Sequence, residues 1–355
     1  MSLHKFFNTG IVTDERYLRH NTGDFHPESS RRLVSLYEML LSEEMAGRFD
    51  RIEPRSASYE ELSSIHLPSY IDRVASTAGN KPTYLDPDTI ASADSFEASI
   101  FAAGGLINAV DAVMAARVRN AFAFVRPPGH HAQSDRSGGF CIFNNIAIAA
   151  AYARTTYRLG RILIVDWDLH HGNGTQNTFY KDPGILYFST HQYPLYPGSG
   201  SIEEIGIEEG TGYTVNVPLS KGQGDAEYLS VFRRILEPVA CEYKPQLILL
   251  SAGFDICAKD LLGGMKVTSR GFTALTRVLL DIAEKCCQGR LVATLEGGYN
   301  VDIMTHSIKA VLMEMSGMTI TSPCSLDTIQ QSAGPSVQKV IDKIIKRIQP
   351  YWKVF

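Results

Sequence analysis

The sequence predicts an α/β fold built on one open, mostly parallel β-sheet. Two observations lead there. Short, nearly uninterrupted apolar runs recur at 121–125, 162–165, 185–188, 213–217, 247–250 and 291–295, as strands buried on both faces of a parallel sheet do. Segments with helical periodicity, at 97–117, 146–158, 226–243, 269–285 and 303–316, separate many of them, and strand–helix alternation is the pattern of βαβ units. The composition agrees: 44% of the 355 residues are apolar and 20% are charged, which is ordinary for a globular chain. No Pro- or Ser-rich linker, internal repeat or low-complexity tract interrupts the alternation, so residues 1–355 are expected to form a single domain.

In an open parallel sheet, ligands bind outside the carboxyl ends of the strands. The segments that follow the runs hold most of the unusual residues of the chain. In chain order, 121–125 leads into Arg126-Pro127-Pro128-Gly129-His130-His131. The run 162–165 leads into Asp166-Trp167-Asp168-Leu169-His170-His171, and 185–188 into Ser189-Thr190-His191. The run 247–250 leads into Ser251-Ala252-Gly253-Phe254-Asp255, and 291–295 into Glu296-Gly297-Gly298-Tyr299.

Several function classes are excluded at this level. The net charge is −4 and no Lys/Arg block stands out, so nucleic acid is not an expected partner. The mildly basic stretch 339–353 reads as the solvated face of an amphipathic helix. The most apolar stretch, 141–153, is broken by Asn144 and Asn145 and is too short to span a bilayer. The first eight residues carry no leader pattern, so the expectation is a soluble cytoplasmic protein. Six cysteines occur without a C-x-x-C and are expected to be reduced. P-loop, dinucleotide-binding and nucleophile-elbow motifs are absent.

The chemistry concentrates in four places. Asp166, Asp168 and His170 alternate after a strand, so they share one face of extended chain. Two carboxylates and an imidazole suit Zn²⁺ or another transition ion. His130-His131 and His170-His171 are the two adjacent histidine pairs of the chain; one pair can ligate metal while the other moves protons. A third ligand can come from Asp255 or from Asp260, and spacing leaves both open. Tyr299, after a Gly-Gly turn, can offer its hydroxyl to a developing oxyanion.

Together these segments resemble the zinc-dependent histone deacetylase family, in particular its class II branch and the bacterial histone deacetylase-like amidohydrolases. The shared motifs are His26-Pro27-Glu28 with Arg32, Arg126 to Ala132, Gly139-Phe140-Cys141, Asp166 to Gly174, Tyr196-Pro197-Gly198, the run 214–217, Ser251 to Asp255 and Glu296 to Tyr299. They follow the family's order over about the whole chain.

The resemblance implies the arginase/deacetylase fold, a parallel sheet of about eight strands between helices. It implies Asp168, His170 and Asp260 as zinc ligands, with Asp255 outside that triad. His131 would be general base and then acid, oriented by Asn173. His130 would act electrostatically, steadied by Asp166, and Tyr299 would stabilise the oxyanion. Gly139, Phe140 and Tyr196 match the walls of a narrow acyl-lysine tunnel, and Arg32 an internal channel below it. Potassium sites are implied at Asp166, Asp168, His170 and Ser189, and at Phe179, Asp182 and Tyr213. Asp94 or Ser95 is the expected rim residue that clamps substrate. Lys259 and Leu261 stand where relatives usually carry Gly and Pro.

The implied reaction is removal of acyl groups, acetyl foremost, from lysine side chains of a peptide or protein. The alternative is a small acetylated amine such as an acetylpolyamine. Polyamine-specific relatives carry an acidic gatekeeper at the rim, and by motif count that position is Val267, beside Lys266, which disfavours a polycationic substrate. The binuclear manganese ureohydrolases share the fold but need further bridging ligands, and a catalytically dead acyl-lysine binder would be expected to lose one of the residues named.

Overall fold

The computed structural model describes residues 8–355. Its strands are β1 (Thr9–Val12), β2 (Asp50–Arg51), β3 (Thr83–Asp86), β4 (Thr89–Ala91), β5 (Asn120–Ala123), β6 (Ile162–Asp166), β7 (Ile185–Gln192), β8 (Thr214–Leu219), β9 (Leu247–Ala252) and β10 (Leu291–Leu295). Eight of them form one sheet in the order β2-β1-β5-β10-β9-β6-β7-β8. Every neighbouring pair in it is parallel. β3 and β4 make a separate antiparallel hairpin.

The six apolar runs are the six strands β5 to β10, with ends that agree to within four residues. β1 and β2 are four and two residues long, too short for periodicity to register. The central strands β6, β9 and β10 are buried along their whole length, which is why they read as continuous rather than alternating.

Helices carry the chain between strands. Ser95–Met114 is long and apolar enough by composition to cross a bilayer, but two-thirds of its most apolar window is buried inside the protein. It is a core helix. Gly104 lets it approach the chain near residue 55, since a Cβ there would overlap the Arg55 carbonyl. Asn144, which breaks the apolar stretch in the sequence, caps the helix Asn145–Tyr157 by accepting from Ala147 N–H at 3.1 Å. The segment predicted as one helix at 226–243 runs from Asp225 to Tyr243 with a π-helical turn at Phe232–Leu236. The six cysteines are free thiols.

The register lines up polar residues across the carboxyl edge. Asp166 at the end of β6 pairs with Ser189 on β7 and Ser251 on β9. One residue further, Trp167 turns the other way and is fully buried against Phe232, Phe254 and Phe272. This alternation fixes the direction of Asp166 and Asp168.

Candidate active site

The chain beyond β6 folds back on its own carboxylates. Asp166 Oδ1 accepts from Asp168 N–H at 3.1 Å. Asp168 Oδ1 accepts from His170 N–H at 2.9 Å and lies 3.2 Å from His170 Nδ1. Asp168 Oδ2 accepts from Gly297 N–H at 2.8 Å. From the loop after β9, Asp255 Oδ1 accepts from Leu169 N–H at 2.9 Å. Its Oδ2 is buried without a hydrogen bond and faces His170 Nδ1 at 3.2 Å.

One donor atom each from Asp168, His170 and Asp255 lies within 4.8 Å of the others. Two glycines make the space: a Cβ at Gly253 would overlap Asp168 Oδ2, and one at Gly297 would overlap Asp255 Oδ2. Burial, and then the charge of Asp168, pushes the Asp255 carboxyl up to about 7. Two carboxylates and an imidazole, with one buried oxygen left without a hydrogen bond, fit a divalent cation that prefers nitrogen and oxygen donors.

Asp260, the third ligand that the resemblance implies, sits on the same loop as Asp255, and its charge acts on that carboxyl. Its Oδ1 accepts from Leu262 N–H at 2.9 Å, and its Oδ2 accepts from Tyr299 and Asn300 N–H at 2.7 and 3.0 Å. These backbone donors set the turn carrying Tyr299, and they leave lone pairs on both oxygens, as the backbone donors to Asp168 do. The neighbouring Lys259 keeps a left-handed backbone, φ +68°, so the loop holds the conformation that favours glycine although a lysine stands there. Its carbonyl accepts from Asn300 Nδ2 at 3.0 Å.

The tandem histidines have different partners. His130 Nδ1 lies 3.0 Å from Asp166 Oδ2, which also accepts from the Tyr187 hydroxyl at 3.0 Å. Burial alone would lower the pKa of His130, but Asp166 and Asp168 outweigh it and raise it to about 10. His131 Nδ1 lies 2.8 Å from Asn173 Oδ1. An amide oxygen only accepts, so Nδ1 carries the proton and Nε2 keeps its lone pair. Burial, with His130 and His170 nearby, holds His131 well below the usual imidazole range. One ring is a cation and the other a base, 4.0 Å apart between centroids.

The Tyr299 phenol stays protonated, because burial and then Asp255 push its pKa well up. Arg32 lies 5.2 Å from its ring and donates from Nε to Gly298 O at 2.7 Å. Phe140 packs edge-on to Tyr299 with centroids 5.9 Å apart. Tyr196, half-exposed, packs edge-on to His131 at 5.0 Å. Phe140 therefore flanks Tyr299, and Tyr196 flanks His131. Gly139 is required beside them, since a Cβ would overlap the His131 ring.

One substrate-rim expectation, Val267, fails. Val267 is fully buried, its N–H donating to Ile256 O at 3.1 Å; the exposed apolar side chains of that loop are Leu261 and Leu262. Asp94 is exposed at the start of a core helix and makes no capping bond. The carboxylate at the wall is Asp88, whose Oδ1 accepts from Gly139 N–H at 3.0 Å. Its signal in the sequence is the turn Asp86-Pro87-Asp88 between two short strands.

Of the implied potassium residues, Ser189 is buried in register with Asp166 and bonds His191 Nδ1 at 3.0 Å. Asp182 N–H donates to Phe179 O at 3.0 Å, while its carboxylate pairs with Arg154. The Tyr213 ring packs against Tyr243 and Trp352.

Two further residues were not singled out for a role. Glu296 Oε2 accepts from Gly129 and His130 N–H at 2.7 and 3.2 Å, and its Oε1 from Ser251 Oγ at 2.9 Å. Glu28 is fully buried between two guanidiniums: Arg126 Nη2 donates to its Oε2 at 2.8 Å and Arg32 Nη1 to its Oε1 at 3.2 Å. Burial alone would raise the Glu28 carboxyl, but Arg126 holds it well below the usual range.

The histone deacetylase domain family matches residues 26–315. A probable deacetylase of Archaeoglobus fulgidus is 39% identical, over 98% of this chain and 99% of that protein. Histone deacetylase clr3 of Schizosaccharomyces pombe is 36% identical over 97% of this chain, which spans 52% of its length. Histone deacetylase 5 of Arabidopsis thaliana is also 36% identical over 97%, and 54% of its length is spanned. Among solved structures, the crystal structure of the HDA15 HD domain superposes with a TM-score of 0.90 at 34% identity, over 98% of this chain and 97% of that one.

Glu28→Gln leaves Arg126 and Arg32 buried with a neutral partner. It is expected to cost about 3–5 kcal/mol of stability, read as a lower midpoint in chemical denaturation at pH 7. The folded carboxyl is held below its unfolded value of 4.5. Its contribution is therefore present above that pH and is lost only as the pH falls through the depressed value. An unchanged midpoint at pH 7 would contradict the clamp.

Proposed function

The chain belongs to the histone deacetylase family, and on that premise we propose that it hydrolyses acyl groups, acetyl foremost, from lysine side chains of proteins or peptides. Asp168, His170 and Asp260 would hold one zinc ion, with Asp255 beside them. The observation that carries this reading is the convergence of Asp168, His170 and Asp255, with Asp260 on the turn that carries Tyr299, beside the His130–His131 pair.

When bound, zinc supplies a Lewis acid that polarises the scissile carbonyl and acidifies water. The rest is done by side chains. His131 Nε2 takes the proton from the attacking water and returns it to the leaving lysine amine. Asn173 keeps the ring in the tautomer that permits this. His130, held as a cation by Asp166, opposes the negative charge that develops on the substrate. The Tyr299 hydroxyl donates to the oxyanion, a contribution of about 3–4 kcal/mol in comparable sites. Phe140 and Tyr196 admit a slender acyl-lysine chain and exclude water around it.

Potassium bound near Asp166, Asp168, His170 and Ser189 would offset clustered carboxylates, and a second ion near Phe179, Asp182 and Tyr213 belongs to the same proposal. Asp182 is already paired with Arg154, so backbone oxygens would have to dominate there. Six free thiols are in keeping with a reducing, cytoplasmic setting.

A specific observation keeps a small acetylated amine in view. Asp86 and Asp88 lie together beside the wall, and burial and Asp88 push the Asp86 carboxyl up. The deciding experiment measures zinc-loaded turnover of an acetyl-lysine peptide against an acetylated polyamine, with a chelator control. Chelator-sensitive release from the peptide, at higher kcat/KM, is expected. A strong preference for the polyamine would overturn the protein-lysine reading. Tyr299→Phe should retain zinc and fold but lower kcat by about 10²–10³. An unchanged kcat would remove the oxyanion role.

A further inference from the structure

We propose that Glu204 is a positioning residue for Tyr196, acting through a buried chain of hydrogen bonds that runs by Gln176 and His171 to Ser199. The inference rests on the lysine-deacylase reading and goes beyond it to side chains that stand behind the site.

Tyr196 lies on the segment that leaves β7. The start of that segment is tied down by backbone alone: Gln192 N–H donates to Leu169 O and Tyr193 N–H to Leu219 O, both at 2.8 Å. Beyond Tyr196, Gly198 and Gly200 both take φ +90°. Glycine adopts that region freely but does not enforce it, so the path of the loop past Tyr196 has to be held from outside.

Glu204 holds it. Its Oε1 accepts from Gly200 and Ser201 N–H, each at 2.9 Å. Its Oε2 accepts from Gln176 Nε2 at 2.6 Å. With its nitrogen on the carboxylate, Gln176 turns its Oε1 to Asn216 Nδ2 at 2.7 Å and to His171 Nε2 at 2.9 Å. An amide oxygen only accepts, so His171 Nε2 carries the proton. Burial keeps that ring below the ordinary imidazole range, so its Nδ1 accepts from Ser199 Oγ at 2.8 Å. Each donor from Ser199 through His171 and Gln176 therefore points toward the Glu204 carboxylate, an order in which every bond polarises the next.

His191 closes the other side, its Nε2 donating to Gly200 O at 2.8 Å. A Cβ at Gly200 would overlap both imidazoles, so the loop has no slack there. Gln176, His171 and His191 are all buried, and a broken bond among them leaves a polar group without water to replace it.

The helix Asn173–Phe179 connects this chain to the reaction. Asn173 sets the tautomer of His131, and Gln176, three residues on, shares that side of the helix. One helix thus orients the general base and, through Glu204, the ring that packs 5.0 Å from it.

The test uses the full chain. The protein is labelled with meta-fluorotyrosine, and the Tyr196 line in the fluorine NMR spectrum is identified by its loss in Tyr196→Phe. That line is expected to shift or broaden in Glu204→Gln, which places an amide where the carboxylate accepts three N–H groups. It is expected to do so also in Ser199→Ala, which removes one hydroxyl from a partly exposed loop and spares the fold. With zinc-loaded, unlabelled protein and an acetyl-lysine peptide, Glu204→Gln is expected to raise KM by about three- to tenfold, the size of one or two hydrogen bonds. Its kcat is expected to stay within about twofold, because a wall binds ground and transition states alike. Introduced into Tyr196→Ala, the same substitution is expected to add nothing, whereas a role unconnected with Tyr196 gives additive losses. An unchanged Tyr196 line in the folded variants, a loss confined to kcat, or additive losses would each overturn the inference and leave lysine deacylation intact. Turnover of acetylated polyamine with none of the peptide would overturn the lysine reading, and the fluorine line would still report on Glu204.

Discussion

Four carboxylates are buried where β6, β9 and β10 end, and the site is organised around containing their charge. Asp166, Asp168, Asp255 and Glu296 are all inaccessible or nearly so, and the imidazoles that face them are His130 and His170. Buried carboxylates are tolerated only when paired or hydrogen-bonded. Here backbone N–H groups of residues 129, 130, 168, 169 and 297 supply much of the compensation. It is not enough for every group: burial pushes Asp255 and Glu296 both up to about 7. A divalent cation beside Asp255 would favour its charged form, which links metal binding to proton release.

The same surplus explains the division of labour between adjacent histidines. His130 sits within the carboxylate field and becomes a cation. His131, one residue on, reaches the neutral amide of Asn173 and remains a base. An acid at position 173 would pull His131 toward the protonated form, so the amide is what preserves the contrast. A second, opposite arrangement holds the loops in place. Glu28 is one carboxylate between two guanidiniums, and those arginines reach the backbone at Tyr17 and Gly298. It thus ties the start of the tandem-histidine loop to the turn that carries Tyr299.

The strands and their site-bearing ends were legible because burial on both faces leaves continuous apolar runs, and because Asp166 to His171 follows one of them directly. His130, His131, Asp168, His170, Asn173 and Tyr299 were named from sequence and converge in space. What stayed hidden depends on which atoms a backbone turn uses. Asp255 and Asp260 are five residues apart on one loop, and nothing in their spacing says that one carboxylate is engaged by Leu262, Tyr299 and Asn300 while the other keeps a free oxygen. Motif counting across that loop likewise put Val267 at the rim, whereas the bridge between Cys257 and Val267 draws it into the core. Asp88 was missed because its contact with Gly139 joins residues 51 positions apart. The sequence near Asp94 carries no mark of that pairing.

The central claim is that Asp168, His170 and Asp260 would hold one zinc ion at the carboxyl ends of the strands. Elemental analysis of zinc in purified Asp168→Ala and Asp260→Ala, each beside the parent protein, tests it most directly. Circular dichroism would confirm that both variants are folded. Both folded variants are expected to retain little zinc. Near-stoichiometric zinc in either folded variant would contradict the ligand set.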